Sequence, residues 1–388
     1  MKKVISILLT LVLCHGTSVA SEPQKCAKIF DECAFNADIR NMMDSLRIVG
    51  VSLAVVKDNQ IVYTGAFGHK SLATLQPLTT STMFRIASIS KSFVATAIMT
   101  LVDEGKLTLD TDAATLLNFP LRNPAHPDDK ITIEMLLSHT SSINDSEGYY
   151  ISYDCINPVT NPNWRNCYNK YAPGTAYEYC NLNFNLLGII IEKVSGERFD
   201  HYVERHILKP LGIDGSSFCV NSVDTANCAT LYAWNGKEFE AQPQAYRPIE
   251  ILDHYQMEVN TVRMSPAGGM KISAPNLAKY MLMHMNYGKS PLTNARVISK
   301  KSSQAMQADH TPTKEYYGLA LEKSDKFVDG VTLTGHTGGA YGLTSAMFFN
   351  PDKHFGFVVI CNGSRRGHSV LVNAQSIMYR HFIENKND

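Results

Sequence analysis

The segment Phe84-Arg85-Ile86-Ala87-Ser88-Ile89-Ser90-Lys91 sets a hydroxyl and an amine three residues apart at the start of a run with helical apolar spacing. Three residues are nearly one helical turn, so the two side chains share a face. A serine hydroxyl is a poor nucleophile until a neighbouring base takes its proton. The positive end of a helix dipole favours negative charge on Ser88 and the neutral form of Lys91. Ser-x-x-Lys alone is a frequent accident, so the chemistry needs further residues. Two more stretches supply them. Tyr179-Cys180-Asn181 stands just ahead of a helical pattern, and His336-Thr337-Gly338-Gly339 lies in a strand-like run. Taken singly, Tyr179 and Asn181 read as turn residues and His336 as a satisfied strand-end histidine. Their combination with Ser88 and Lys91 reverses those odds.

In this combination and order the three stretches resemble the signature of the class C β-lactamase and serine DD-peptidase family. Further stretches agree in order: Val51 to Val56, Gly65-Ala66-Phe67-Gly68, Leu136-Leu137-Ser138-His139-Thr140-Ser141 and Ala267-Gly268-Gly269-Met270. The resemblance runs from about residue 40 to 363. Three positions depart from the family pattern: Cys180 stands where Ser is commonest, Ser142 where Gly is usual, and His336 where β-lactamases usually carry Lys. The His form is closer to the DD-peptidase and D-aminopeptidase branches.

The resemblance implies an α+β, β-lactamase/transpeptidase-like fold and a serine hydrolase working through an acyl-enzyme on Ser88. Lys91 and Tyr179 would share the removal of its proton. Their ordinary pKa values of about 10.4 and 10 mean that either needs a charged or desolvated neighbour, and which is the base stays open. Backbone N–H groups of Ser88 and Gly339 would form the oxyanion hole. Asn181 would hold the acyl side of the substrate. Thr337 and Gly338 would let substrate lie along the strand, and His336 could orient a substrate carboxylate. The implied activity is that of a DD-carboxypeptidase or D-aminopeptidase-type peptidase or amidase, with a class C-like β-lactamase or carboxylesterase as alternative. A non-catalytic penicillin-binding-like protein is the outside reading. The substrate would be a small peptide, amide, β-lactam or ester, with no cofactor and no metal.

The elements that would position these residues follow from periodicity. Residues 38–46 have helical spacing, and 51–56 and 61–64 read as strands of a hairpin joined by Lys57-Asp58-Asn59-Gln60. A helix is expected from Ser88 through Val102, with Gly105 placed to end it. Residues 110–265 read as helices and loops without a strand ladder, including helices over 182–194 and 199–208. Strands return from about 333, with 345–349 and 355–361 flanking a turn, and a last helix covers 370–382. Both chain ends therefore build one antiparallel sheet, and the middle forms a helical lobe across a cleft. The expected organisation is one domain over 21–388, with a sheet lobe at about 36–95 and 265–388 and a helical lobe at about 96–264. Residues 144–171 form a long loop rich in Asn and aromatics, the kind that serves as lid or binding rim.

Met1, Lys2 and Lys3, the apolar run from Val4 to Leu13, and Ser18-Val19-Ala20 come in the order of an export leader, so residues 1–20 are read as a removed signal peptide. The mature chain would be secreted or periplasmic. Beyond Ala20 no apolar run approaches the ~18 residues that span a bilayer. Without Lys2 and Lys3 the chain has 34 basic and 36 acidic side chains, a net charge of −2. With no dense basic cluster, nucleic-acid binding has no electrostatic support. Eight of nine cysteines remain after the leader. Cys26 with Cys33, Cys155 with Cys167 and Cys219 with Cys228 are candidate short-range disulfides, leaving Cys180 and Cys361, although spacing does not fix connectivity. His201, Glu204 and His206 suggest a metal site only superficially, since a spacing of five along a helix puts the two histidines on different faces. Asn144-Asp145-Ser146 and Asn362-Gly363-Ser364 match the glycosylation triplet.

Overall fold

The computed structural model describes residues 30–149 and 152–384. The expected leader, Cys14 and Cys26 lie outside them. The chain opens with α1 (Glu32–Leu46), capped by the Asp31 carboxylate, which accepts from the Ala34 N–H at 3.0 Å. It continues into β1 (Gly50–Lys57) and β2 (Gln60–Ser71). Asp58 and Asn59 between them both have positive φ, 48° and 66°, as a two-residue hairpin turn matched to strand twist requires. Then come β3 (Gln76–Pro77), β4 (Phe84–Arg85), a 3₁₀ turn over Ala87–Ile89, and α2 (Ser90–Asp103). The middle contains α3 (Ile133–Leu137), α4 (Asn181–Ser195), α5 (Phe199–Val203), β5 (Tyr232–Trp234), β6 (Phe239–Ala241) and β7 (Lys271–Ile272). After α6 (Ala274–Met285) and α7 (Lys300–Gln307), the strands β8 (Glu322–Ser324), β9 (Leu333–Ala340), β10 (Leu343–Asn350) and β11 (Phe355–Gly363) lead into α8 (Gly367–Phe382).

Seven strands form one antiparallel sheet in the order β3-β2-β1-β11-β10-β9-β8, so the two ends of the chain meet where β1 pairs with β11. Both of these strands are buried on both faces, hence their nearly unbroken apolar composition. Alternation sorts their side chains. Val51, Leu53, Val55, Phe357, Val359 and Cys361 enter one core, closed by Phe35 and Ile39 of α1 and Val370 and Ala374 of α8. Ala54, Val56, Val358 and Ile360 enter the other, which continues through α2, α4 and α6.

α2 is buried on almost every side, and its polar groups are satisfied internally: Thr96 Oγ1 lies 2.8 Å from Tyr280 Oη, and Thr100 Oγ1 2.8 Å from Tyr202 Oη. α4 ends at Gly196, whose φ of 71° closes the helix in the left-handed conformation. The expected helix over 199–208 is α5 followed by a π-helical turn over Glu204–Leu208. The middle also carries the small β5–β6 ribbon, whose strands are too short to show a period in the sequence. α6 has no clear signature there either, because most of its residues are buried, which erases the polar stripe that marks a surface helix. Among the described residues no helix is long and apolar enough to cross a membrane.

The sheet is incomplete along one edge. β8 pairs only with Leu333, Thr334 and Gly335 of β9. From His336 onward the outer edge of β9 has no strand beside it, and that is the stretch carrying Thr337, Gly338 and Gly339.

Candidate active site

Ser88 sits in the 3₁₀ turn that feeds α2, directly after Ala87, whose φ of 49° is unusual for a residue with a side chain. The turn is pressed against β9. A Cβ on Gly338 would lie 2.3 Å from the Ile86 carbonyl oxygen and 2.4 Å from Ser345 Oγ, so only glycine permits this approach. Ser345 ties the same place together, its hydroxyl donating to the Ile86 carbonyl at 3.0 Å.

Lys91, one turn on, has no exposed surface. Its Nζ lies 3.2 Å from Ser88 Oγ, 2.8 Å from Asn181 Oδ1 and 2.8 Å from the Ala267 carbonyl oxygen. Burial pushes its pKa down to about 7, against the opposing pull of Asp145 and Cys180. A neutral amine has two N–H donors and one lone pair. Two of its three neighbours are pure acceptors, so the N–H bonds go to Asn181 and Ala267 and the lone pair faces the Ser88 hydroxyl.

Tyr179 completes the core of the site. Its hydroxyl is hydrogen-bonded with Ser88, and its ring lies 4.9 Å from Lys91 Nζ. The residue keeps 37% of its surface exposed, but the hydroxyl end is enclosed, and burial holds its pKa well above that of a free phenol. Lys91 is thus biased toward the neutral, proton-accepting form and Tyr179 toward the protonated, proton-donating one. That separates two roles the sequence leaves together.

Asn181 is engaged elsewhere than expected. It is not among the cleft-lining residues: its Oδ1 accepts from Lys91, and its Nδ2 donates to Asp145 Oδ2 at 2.8 Å. Asp145 also accepts from the backbone N–H of Asn181 at 3.0 Å and of Leu182 at 2.9 Å, and from the Cys180 thiol at 3.3 Å. It therefore caps α4 from a distant segment, in place of Cys180, whose own side chain caps nothing. Burial keeps the Cys180 thiol protonated, well above the usual thiol pKa. In the sequence Asp145 stands out only as the middle of a glycosylation triplet. Its position four residues after Ser141 is the available signal.

His336 lines the cleft but has no free nitrogen. Its Nε2 is 2.9 Å from Tyr317 Oη and its Nδ1 faces the Thr337 carbonyl oxygen, which fixes Nδ1–H as donor and Nε2 as acceptor of the tyrosine proton. Burial, with Lys91 nearby, pushes its pKa down to about 4. The expectation that it could orient a carboxylate is corrected accordingly: at neutral pH it is uncharged and both nitrogens are spent inside the protein. His139 accepts from the Cys180 N–H at 3.1 Å and packs 4.3 Å from the Tyr179 ring, so it braces the tyrosine. Ser142, which stands where glycine is usual, has a φ of 64°, and its hydroxyl accepts from Asn123 Nδ2 at 2.9 Å.

Ser88, Tyr179, Thr337, Gly338 and Gly339 line a cleft of about 300 Å³ together with Tyr177, Tyr317, Glu322 and His336. Tyr177, Tyr317 and Glu322 lie outside the three motifs. Glu322 accepts a hydrogen bond from the Thr337 N–H on the outer edge of β9. No run or motif surrounds it in the sequence, and only the pairing of β8 brings it to the cleft.

All seven described cysteines are free thiols, so none of the suggested disulfides is formed among them. Cys155 and Cys167 nevertheless meet in the long loop, where their side chains share a hydrogen bond. Among the described residues no group of three or more His, Cys, Asp or Glu could hold a metal ion.

Fold and site together define a β-lactamase/transpeptidase-like protein. The chain belongs to the Beta-lactamase family, whose model matches residues 35–380 and whose members are generally serine hydrolases. Protein flp of Staphylococcus aureus (strain MRSA252) is 24% identical over 321 residues, which cover 81% of this chain and 60% of that protein. The unguisins hydrolase ungD' of Aspergillus campestris (strain IBT 28561) is 25% identical over 364 residues, 90% of this chain and 64% of that one. The chain thus spans less than two thirds of the length of these curated relatives. Among solved structures, the octameric penicillin-binding protein homologue from Pyrococcus abyssi superposes with a TM-score of 0.69 at 28% identity, covering 88% of this chain and 76% of that chain. EstCE1, a hydrolase with promiscuous acyltransferase activity, shares the fold at a TM-score of 0.70 and 19% identity, covering 88% and 97%.

Proposed function

We propose that the protein is an exported serine peptidase or amidase, of the D-aminopeptidase or DD-carboxypeptidase type, that forms an acyl-enzyme on Ser88. The observation that carries this reading is the buried Lys91, whose Nζ lies 3.2 Å from Ser88 Oγ and is held by two carbonyl acceptors, so that in its neutral form the lone pair is left for the Ser88 hydroxyl. In acylation, Ser88 Oγ attacks the substrate carbonyl carbon as its proton passes to Lys91. The oxyanion that forms is received by the backbone N–H groups of Ser88 and Gly339, a device worth roughly 3 kcal/mol per donor. Tyr179 gives its proton to the departing nitrogen or oxygen and regains one from Lys91, leaving an ester on Ser88. Water, deprotonated by the same pair, attacks that ester and restores the serine. The open edge of β9 suits an extended peptide, which can add as a further strand. The similarity to a penicillin-binding protein homologue and to an unguisins hydrolase supports a hydrolase of this family.

The test is intact-mass analysis after a fluorophosphonate, for wild type and Ser88→Ala, with assays on D-aminoacyl anilides and N-acyl-D-Ala-D-Ala. A single adduct absent from the variant, with Ser88-dependent release of amine, is expected. Turnover restricted to short acyl esters would make it an esterase, and rapid loss of a chromogenic cephalosporin a β-lactamase. Absence of any adduct would remove the acyl-enzyme itself.

A further inference from the structure

The cleft beside Ser88 is lined by tyrosines, glycines and uncharged polar groups, with one exception. Glu322 is the one lining residue with a carboxylate, and no cationic side chain faces it across the cavity. His336 is neutral with both nitrogens engaged, and the Lys91 amine is turned to Ser88, Asn181 and Ala267. Lys326, the cation whose field reaches Glu322, is exposed and outside the lining. Burial raises the Glu322 carboxyl pKa, the response of a carboxylate that has lost water without gaining an ion-pair partner. Its hydrogen bond from the Thr337 N–H leaves other lone pairs free.

The walls around this carboxylate are aromatic. Tyr177 and Tyr317 stand with ring centroids 5.5 Å apart, and the hydroxyl of Tyr317 is turned away to His336. Tyrosine faces attract ammonium groups through the ring quadrupole, and most strongly where water is excluded. Glu315, exposed near Tyr177, adds further negative potential. A substrate carboxylate brought here would meet a like charge in a partly desolvated site, whereas an ammonium would meet its counter-ion beside tyrosine rings.

We propose that Glu322, Tyr177 and Tyr317 form a cation-recognition subsite, so that the substrate carries an ammonium group close to the scissile bond and substrates with a free carboxylate at that position are rejected. The inference rests on Ser88 chemistry for its use in turnover, and it selects within the peptidase reading: a terminal carboxylate does not fit, a free or quaternary amine does.

Choline and its neutral isostere 3,3-dimethylbutanol separate charge from shape. Their dissociation constants, measured by calorimetric titration on the whole protein, need no turnover. Choline is expected to bind at least tenfold more tightly, and Glu322→Gln to bring the two within about twofold. Equal affinities for wild type would overturn the proposal whatever Ser88 does, and wild type alone suffices should the variant misfold. Turnover then locates the charge. Acetylcholine against 3,3-dimethylbutyl acetate puts it on the leaving group, and D-alanine methyl ester against methyl lactate puts it on the acyl part. A kcat/KM ratio of tenfold or more in either pair, reduced in Glu322→Gln, supports the subsite; ratios near one in both pairs contradict it. Lack of fluorophosphonate adduct with choline still preferred would defeat the acyl-enzyme reading and leave the subsite standing.

Discussion

Asp145 and Asn181 are joined twice, the Oδ2 atom of the carboxylate accepting both the backbone N–H of Asn181 at 3.0 Å and its side-chain Nδ2–H at 2.8 Å. The second bond decides which way the amide faces. With Nδ2 turned to Asp145, Oδ1 must turn to Lys91, and it is this oxygen that occupies one of the two lysine N–H bonds. A residue from the loop after α3 therefore sets the direction of the lone pair on the proposed base.

Replacing Asp145 by Asn should consequently reduce kcat without a matching change in KM. The loss of a charge-assisted bond to the amide, about 1.5–3 kcal/mol, corresponds to roughly a ten- to hundredfold fall. Because the Asp145 charge also holds the Lys91 pKa up, the acid limb of the pH profile should move to lower pH in the variant. Steady-state kinetics across pH 5 to 9, with circular dichroism as a check on folding, would settle it. A loss of activity with an unmoved limb would make Asp145 merely structural.

The same lysine makes a prediction for the wild-type enzyme. If Lys91 accepts the proton, acylation requires its neutral form, so the rate of fluorophosphonate labelling should rise with pH through about 7. Stability should move in the same direction. Lys91 and Lys271 are both depressed to about 7 by burial, and in the unfolded chain each returns to about 10.4. Between these values the unfolded state binds more protons at the two lysines than the folded one, so stability grows from about pH 7 and is lost as pH falls, until above about pH 8 the buried thiols of Cys180, Cys228 and Cys361, held protonated in the fold, oppose the trend. His336 and His284, depressed to about 4 and about 3, extend the loss below pH 6.5. Melting temperatures that fall as pH rises from about 6.5 to 8, before thiols or tyrosines titrate in the unfolded chain, would contradict this.

What could be seen in advance divides along the type of signal. β1, β11, α2 and α4 were legible because continuous apolar runs and capping glycines are local. Ser88, Lys91 and Tyr179 were legible because their motifs are compact, and they do come together here. Asp145, Tyr317 and Glu322 were not, since each reaches the site through a loop or an edge strand whose course depends on distant pairing. His336 shows the converse: its position was right, but its hydrogen-bonding state depends on Tyr317, nineteen residues away in the chain.

The thiols of the long loop offer a third test, tied to the proposed export. Cys155 and Cys167 share a hydrogen bond, so oxidation needs little movement to join them. A bridge closing a loop of this size is worth about 3 kcal/mol. Thiol counting and melting curves with and without a mild oxidant should show two thiols lost and a higher melting temperature, an effect absent in Cys155→Ser. Should oxidation leave both thiols titratable, the loop holds them further apart in solution.

The tightest steric demand on the site falls on Gly338, and its neighbour provides the control. An added methyl at Gly338 would lie 2.4 Å from Ser345 Oγ and 2.3 Å from the Ile86 oxygen, which is backbone and cannot swing aside. At Gly339 the nearest atom is the Leu343 oxygen at 3.9 Å, ordinary contact. Gly338→Ala must therefore push β9 away from the turn bearing Ser88, which separates the two proposed oxyanion donors. Overpacking of this kind costs about 1–3 kcal/mol of stability, and a misplacement of about 1 Å at the reacting centre can cost roughly a hundredfold in rate. Gly339→Ala should leave the melting temperature at or slightly above wild type, because alanine loses less backbone entropy than glycine on folding. Denaturation of the two variants side by side, with fluorophosphonate labelling of Gly338→Ala, is the decisive comparison. Equal stability of both variants would mean that β9 and the serine turn are not pressed together as the structure has them.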